Sequence, residues 1–267
     1  MPTTLTPTRI VELPWMDEVR TSIRVNPFVA LVGPPGSGKT TFAKHVAREH
    51  TGMDPVVLQA GKEVSAHKIW GADRLQGMNS VYAPGPLLRA LETGRWLLVE
   101  EGFLLNHAAW SHFMLLRGAT YVEHPVSGER IEIPRDWHMI ITSNPIGRSC
   151  RTNKEVLDAM LDDVEITDVP PLDPRMVKDL LRANFPDCSG ERIERVVELW
   201  QEFNLRRSFD AKGKDVRQPT IRNALALLRR LEAGEDEHRA VRVTFVNKLI
   251  TDPEAYEAEK IRHDVSF

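Results

Sequence analysis

Phe28-Val29-Ala30-Leu31-Val32-Gly33-Pro34-Pro35-Gly36-Ser37-Gly38-Lys39-Thr40-Thr41 is the stretch that decides the fold of this 267-residue chain. The apolar run Phe28–Val32 predicts a buried strand. Gly33 to Thr40 then fits the spacing G-x-x-x-x-G-K-[ST] at every required position, and Thr41 to Ala47 opens a helix-like stretch. The motif carries meaning in that strand–loop–helix setting, where glycines let backbone N–H groups turn toward an anion and the helix N-terminus adds partial positive charge. Gly33, Pro34, Pro35, Gly36, Ser37, Gly38, Lys39, Thr40 and Thr41 are therefore the candidate phosphate cradle. Lys39 is expected to reach the β and γ phosphates and the Thr40 hydroxyl to ligate Mg²⁺. A bound nucleoside triphosphate follows.

Working outward, short apolar runs alternate with helical patterns as far as Leu172. Strands are predicted at Phe28–Val32, Val56–Gln59, Trp96–Val99, Met139–Thr142 and Val164–Val169. The expected fold is α/β: a three-layer αβα P-loop core around a five-stranded parallel sheet. Asn106 before Trp110, Phe113 and Met114, with Gly118 after, predicts a capped amphipathic helix. Tyr121–His124 and Glu129–Ile133, separated by a Pro/Gly turn, predict a β-hairpin. Beyond Asp173-Pro174 the strand signals stop. Ile193, Val196, Val197, Trp200 and Phe203 mark one helical face, and Ile221, Ala224, Leu225, Leu228 and Leu231 another. The expected division is an arm with a short helix over 1–27, the core over 28–172 and a helical lid over 173–267.

Composition narrows the class. The 42% hydrophobic and 27% charged content suits a soluble globular chain, and a net charge of −3 argues against a surface that coats nucleic acid generally. Two cysteines, Cys150 and Cys188, build no disulfide framework and point to a reducing, cytoplasmic setting. The N-terminus has no secretory leader pattern, and no apolar run approaches the roughly 20 residues of a membrane span.

A second constellation lies downstream. Trp96-Leu97-Leu98-Val99-Glu100-Glu101 is an apolar run ending in two carboxylates, placed where parallel sheets bind ligands. Glu100 is expected to hold Mg²⁺, usually through water, and Glu101 to orient and polarise an attacking water. Asn144 ends the run Ile140-Ile141-Thr142-Ser143 just before Pro145, positioned to hydrogen-bond the γ-phosphate or that water. Arg222 falls in the first turn of a helix, against the helix dipole, where a phosphate partner would offset the cost.

Loop, Glu-Glu strand end, polar strand end and later helical arginine resemble, in order and spacing, the AAA+ ATPases. The chain is most similar to their MoxR and dynein-related branch, which includes the gas-vesicle and CbbQ/NorQ-type ATPases. Gly85-Pro86-Leu87-Leu88-Arg89-Ala90-Leu91-Glu92-Thr93-Gly94-Arg95-Trp96, the stretch from Leu97 to Asn106, the hairpin and Thr142-Ser143-Asn144-Pro145 carry the resemblance, which spans roughly residues 26–232. It implies a hexameric homo-oligomeric ring with ATP at subunit interfaces, a helical lid over each nucleotide, and frequent work with a von Willebrand A domain partner or on an enzyme needing metal or cofactor insertion. By the same resemblance, Glu100 and Glu101 are the Mg²⁺ and water-activating positions, Asn144 the first sensor and Arg222 the lid sensor.

Two positions depart from that pattern. Glu100 stands where the branch usually has Asp, and Asp163 stands where it has an arginine that reaches into the neighbouring site. Arg117, Arg148, Arg151 and Arg175 are the candidate substitutes. Val156 in Asn153-Lys154-Glu155-Val156 removes the carboxylate that would read guanine, which favours ATP over GTP. His107 and His112 lack zinc spacing. Trp70 reads either as core or as part of a client-gripping surface, and Arg206, Arg207, Lys212, Lys214 and Arg217 either as a solvated stretch or as a contact for nucleic acid or an acidic partner. The functions in view are a remodelling ATPase, a nucleotide-dependent assembly switch with little turnover, and the motor of a nucleic-acid-targeting defence complex. A small-molecule kinase is the weakest, because the acid pair suits water as nucleophile.

Overall fold

The computed structural model of the chain describes residues 9–77, 79–124, 127–145, 162–209 and 219–247. They divide into two compact units, one over Glu12–Pro170 and one containing the segment up to Val11 and the chain from Pro171 onward.

The first unit is built on five parallel strands: β1 (Phe28–Val32), β2 (Val56–Gln59), β5 (Leu97–Glu100), β8 (Met139–Ser143) and β9 (Glu165–Asp168), in the order β2-β5-β8-β1-β9. Strands of a covered parallel sheet are apolar on both faces, and β8 is buried along its whole length. Helices α1 (Pro14–Val25), α2 (Lys39–Thr51), α3 (Ala66–Trp70), α4 (Pro86–Thr93) and α5 (His107–Met114) complete the layered α/β arrangement. Phe28, Leu58, Leu87, Leu97, Trp110, Phe113, Met139 and Ile141 form its core. The Asn106 side chain caps α5 by accepting from Ala109 N at 2.7 Å, as its position before an apolar face predicts.

A two-stranded ribbon, β3 (Gly71–Gln76) with β4 (Asn79–Pro84), is inserted between α3 and α4, and the sequence did not announce it. Its outer half has no apolar face: Leu75 and Val81 are exposed, so the alternation that marks a half-buried strand is missing. Its neck is tight. A Cβ at Gly71 would overlap Ala83 O, and one at Gly85 would overlap Ile69 O. Trp70, beside that neck, is only 2% exposed and belongs to the core. The second ribbon, β6 (Tyr121–Glu123) with β7 (Arg130–Glu132), is the predicted hairpin, shorter at its ends. His124 beside it makes a 2.8 Å hydrogen bond with the Tyr82 hydroxyl on β4, tying the two ribbons together.

The second unit is helical: α6 (Pro174–Asn184), α7 (Gly190–Phe209), α8 (Ile221–Glu232) and α9 (Glu237–Val241), continued by a π-helical turn over Arg242–Val246. Asp173 caps α6, accepting from Met176 N at 2.8 Å, with Pro174 in the first turn where its missing N–H costs nothing. Val177, Leu181, Ile193, Val196, Trp200, Phe203, Leu227, Leu228 and Phe245 pack together here. The predicted faces of α7 and α8 are the buried or partly buried ones, with Leu227 added.

Candidate active site

β5, β8 and β1 are adjacent and parallel, so whatever follows their C-terminal ends collects at one edge of the sheet. Glu100 is in register with Thr142, and Ser143 with Val32. One residue further along each strand come Glu101, Asn144 and Gly33. Strand register therefore assembles three separate sequence motifs into one place.

The loop between β1 and α2 has the backbone its glycines permit. Gly36 and Gly38 have positive φ (81° and 96°), and Gly33 has no room for a side chain, since a Cβ there would overlap Val169 O. Gly33 N donates to Ser143 O at 3.2 Å, joining the loop to β8. Lys39 is buried, and its Nζ donates to Gly33 O at 2.6 Å and Pro34 O at 2.8 Å, folding the ammonium back over the loop. Helix α1 braces this helix from the side. Trp15 meets Phe42 edge-on at 5.1 Å, and the Arg20 guanidinium lies 5.3 Å above the same ring. Arg20 also binds Glu12 and Asp17, and the Glu12 hydrogen bond pushes its pKa further up.

Beside the loop, Asn144 Nδ2 donates to both oxygens of Glu101, at 3.0 and 3.3 Å. Among the described residues Glu101 is the one non-glycine residue with positive φ, at φ 56° and ψ 40°. A strained backbone at a carboxylate beside a phosphate loop is the kind of outlier that marks a working site. The chain turns there into a 3₁₀ segment over Gly102–Leu104, and Gly102 packs so closely on Ile141 that a Cβ would overlap Ile141 Cγ2.

The model of the AAA domain (dynein-related subfamily) matches residues 29–162, half of the chain. The chain belongs to this AAA family. No curated protein matches it. The AAA domain brings nucleotide-dependent ATPase activity, and members of the family commonly form rings.

The donor chemistry of this AAA site fits a nucleotide with a hard divalent cation. Thr40 and Glu100 supply oxygen, and among the described residues no group of three or more His, Cys, Asp or Glu forms a metal cage. Mg²⁺ suits such a place, being held by one or two protein oxygens with phosphate and water completing its shell. A protein cation already stands near the acid: Lys44 Nζ lies 3.7 Å from Glu100 Oε1. The sequence reading missed Lys44, although its place four residues after Thr40 on one helix was a signal.

The remaining predicted residues fall elsewhere. Arg222 is exposed in the first turn of α8, in the second unit, behind the Thr220 cap. Arg175 is exposed on α6 in that unit. Asp163 lies just before β9 and forms an ion pair with Arg117, so this arginine already has an acidic partner in its own chain. Arg148, Arg151, Cys150, residues 153–156, Lys212, Lys214 and Arg217 lie outside the described residues. Among the described residues no helix is long and apolar enough to cross a membrane.

Proposed function

We propose that the chain is an Mg²⁺-dependent, ATP-hydrolysing AAA+ remodelling ATPase of the MoxR and CbbQ/NorQ type, working as a homo-oligomeric, hexameric ring on a partner protein. The observation that carries this is the Asn144–Glu101 pair beside a complete phosphate loop. In this reading the backbone of Gly33 to Thr41 and the Lys39 ammonium bind the phosphates. Glu101 takes the proton of an attacking water, and Asn144 fixes the carboxylate's direction. Thr40 and Glu100 hold the metal, which when bound neutralises phosphate charge. Arg222 closes on the nucleotide from a lid over 173–267, the core being 28–172 and the arm 1–27. The client is a von Willebrand A domain protein or an enzyme requiring maturation, in the cytoplasm.

A second reading, an ATP-dependent assembly switch with slow turnover, is favoured by the Arg117–Asp163 pair, because an arginine finger supplies roughly 10³–10⁵ in rate where one is present. ATP turnover against protein concentration, with sizing in the presence and absence of ATP, separates the two. The remodelling ATPase gives turnover that rises with concentration, follows a ring-sized species and vanishes in Glu101→Gln. Assembly on ATP with negligible turnover leaves the switch, and DNA-stimulated turnover would instead support a nucleic-acid motor.

A further inference from the structure

Glu100 ends β5 with its side chain about one quarter exposed, and the cation facing it is Lys44, 3.7 Å from Oε1. That distance is too long for a direct hydrogen bond, so the ammonium offsets the negative potential of the carboxylate without occupying its lone pairs. Lys44 sits on α2 four residues after Thr40, and residues four apart share a helix face. The carboxylate expected to hold a metal thus has a positive charge beside it, on the helix that also carries Thr40. Lys39 directs its ammonium to the loop carbonyls of Gly33 and Pro34. Asn144, which binds the neighbouring acid Glu101, brings no charge.

We propose that Lys44 is a built-in counter-ion of the metal-binding carboxylate. It neutralises Glu100 when no divalent cation is held there, and it raises the Mg²⁺ concentration at which the nucleotide site fills. The inference rests on the reading of Glu100 as the metal position. Its physical basis is direct: a divalent cation arriving at Glu100 meets a carboxylate already partly neutralised and a like charge close by. The half-exposed lysine must swing toward solvent as the metal enters, so the site responds to the supply of free Mg²⁺ as well as to that of nucleotide.

The test measures the affinity of a non-hydrolysable ATP analogue over a range of free Mg²⁺, for the full chain and for Lys44→Gln, Lys44→Met, Glu100→Gln and Lys44→Gln/Glu100→Gln. Removing the charge by either Lys44 substitution is expected to lower the midpoint Mg²⁺ concentration about 3- to 10-fold, the size of coupling seen between neighbouring charges. In the Glu100→Gln background the Lys44→Gln change is expected to move the midpoint by a smaller factor, the like-charge part alone. A midpoint that stays put or rises in both Lys44 variants, in a protein whose affinity does depend on Mg²⁺, overturns the counter-ion role alone. Analogue binding by the unaltered chain that ignores Mg²⁺ overturns the metal-site reading of Glu100, and this inference with it.

Discussion

Asn144, at the end of β8, holds both carboxylate oxygens of Glu101, at the end of the neighbouring β5, with a single amide group. The two residues are 43 apart in the chain and meet because their strands are parallel neighbours in register. An amide donor there aims the Glu101 carboxylate without giving it a permanent cation.

Glu101→Gln is expected to retain ATP-analogue affinity within a few-fold while turnover falls by roughly 10²–10⁴, the usual contribution of a general base. Asn144→Ala leaves the carboxylate in place but unaimed, and up to about 100-fold in turnover is expected to go with the lost orientation. Steady-state turnover beside equilibrium binding checks both. Equal loss of affinity and turnover in Glu101→Gln would mean the residue serves binding.

The left-handed backbone at Glu101 makes a prediction of opposite sign from the ordinary one. In a helix or strand, replacing Ala by Gly destabilises. At position 101, Glu101→Gly is expected to be more stable than Glu101→Ala by about 1 kcal/mol, because glycine alone occupies φ 56° without a Cβ penalty. Both variants lack the Asn144 contact, so urea unfolding of the pair isolates the backbone. Equal stability would show that the turn relaxes.

Arg117 and Asp163 join the segment after α5 to the start of β9, and the Asp163 side chain is only 9% exposed. Arg117→Ala strands a buried carboxylate and is expected to cost about 1–3 kcal/mol in chemical denaturation. Adding Asp163→Asn should recover much of that loss. Should Arg117→Ala instead leave stability intact and abolish turnover only in the oligomer, Arg117 would be acting on a neighbouring copy.

Acid sensitivity is expected from His112. Its Nδ1 accepts from Trp70 Nε1 at 3.3 Å, and burial lowers its pKa from the ordinary 6.5. Between that lowered value and 6.5 the unfolded chain binds a proton that the folded one refuses, so stability falls as pH drops through this window and levels off once folded His112 also titrates. Thermal unfolding from pH 7.5 downward should show the slope, and His112→Gln should flatten it. An unchanged slope would assign the acid sensitivity to other groups.

The sequence by itself determined the elements whose physics is local or periodic. The phosphate loop is legible because phosphate binding needs glycines, a lysine and a hydroxyl at fixed offsets between strand and helix. All five parallel strands were legible as short apolar or β-branched runs, continuous where both faces are buried in β1, β5 and β8, with ends off by a residue or so at β5, β8 and β9. The cap at Asn106 was legible because it satisfies an orphan amide of the very next turn. The tertiary structure alone decided what depends on pairing across the chain. The β3–β4 ribbon escaped because its outer half buries neither face, so its formation leaves no hydrophobic alternation to read. The Glu101–Asn144 contact, the Lys44–Glu100 pair and the Arg117–Asp163 pair escaped for another reason. Composition records which polar and charged groups exist, but strand register for the first pair, and the packing of helix and loops on the sheet for the other two, choose which of them meet.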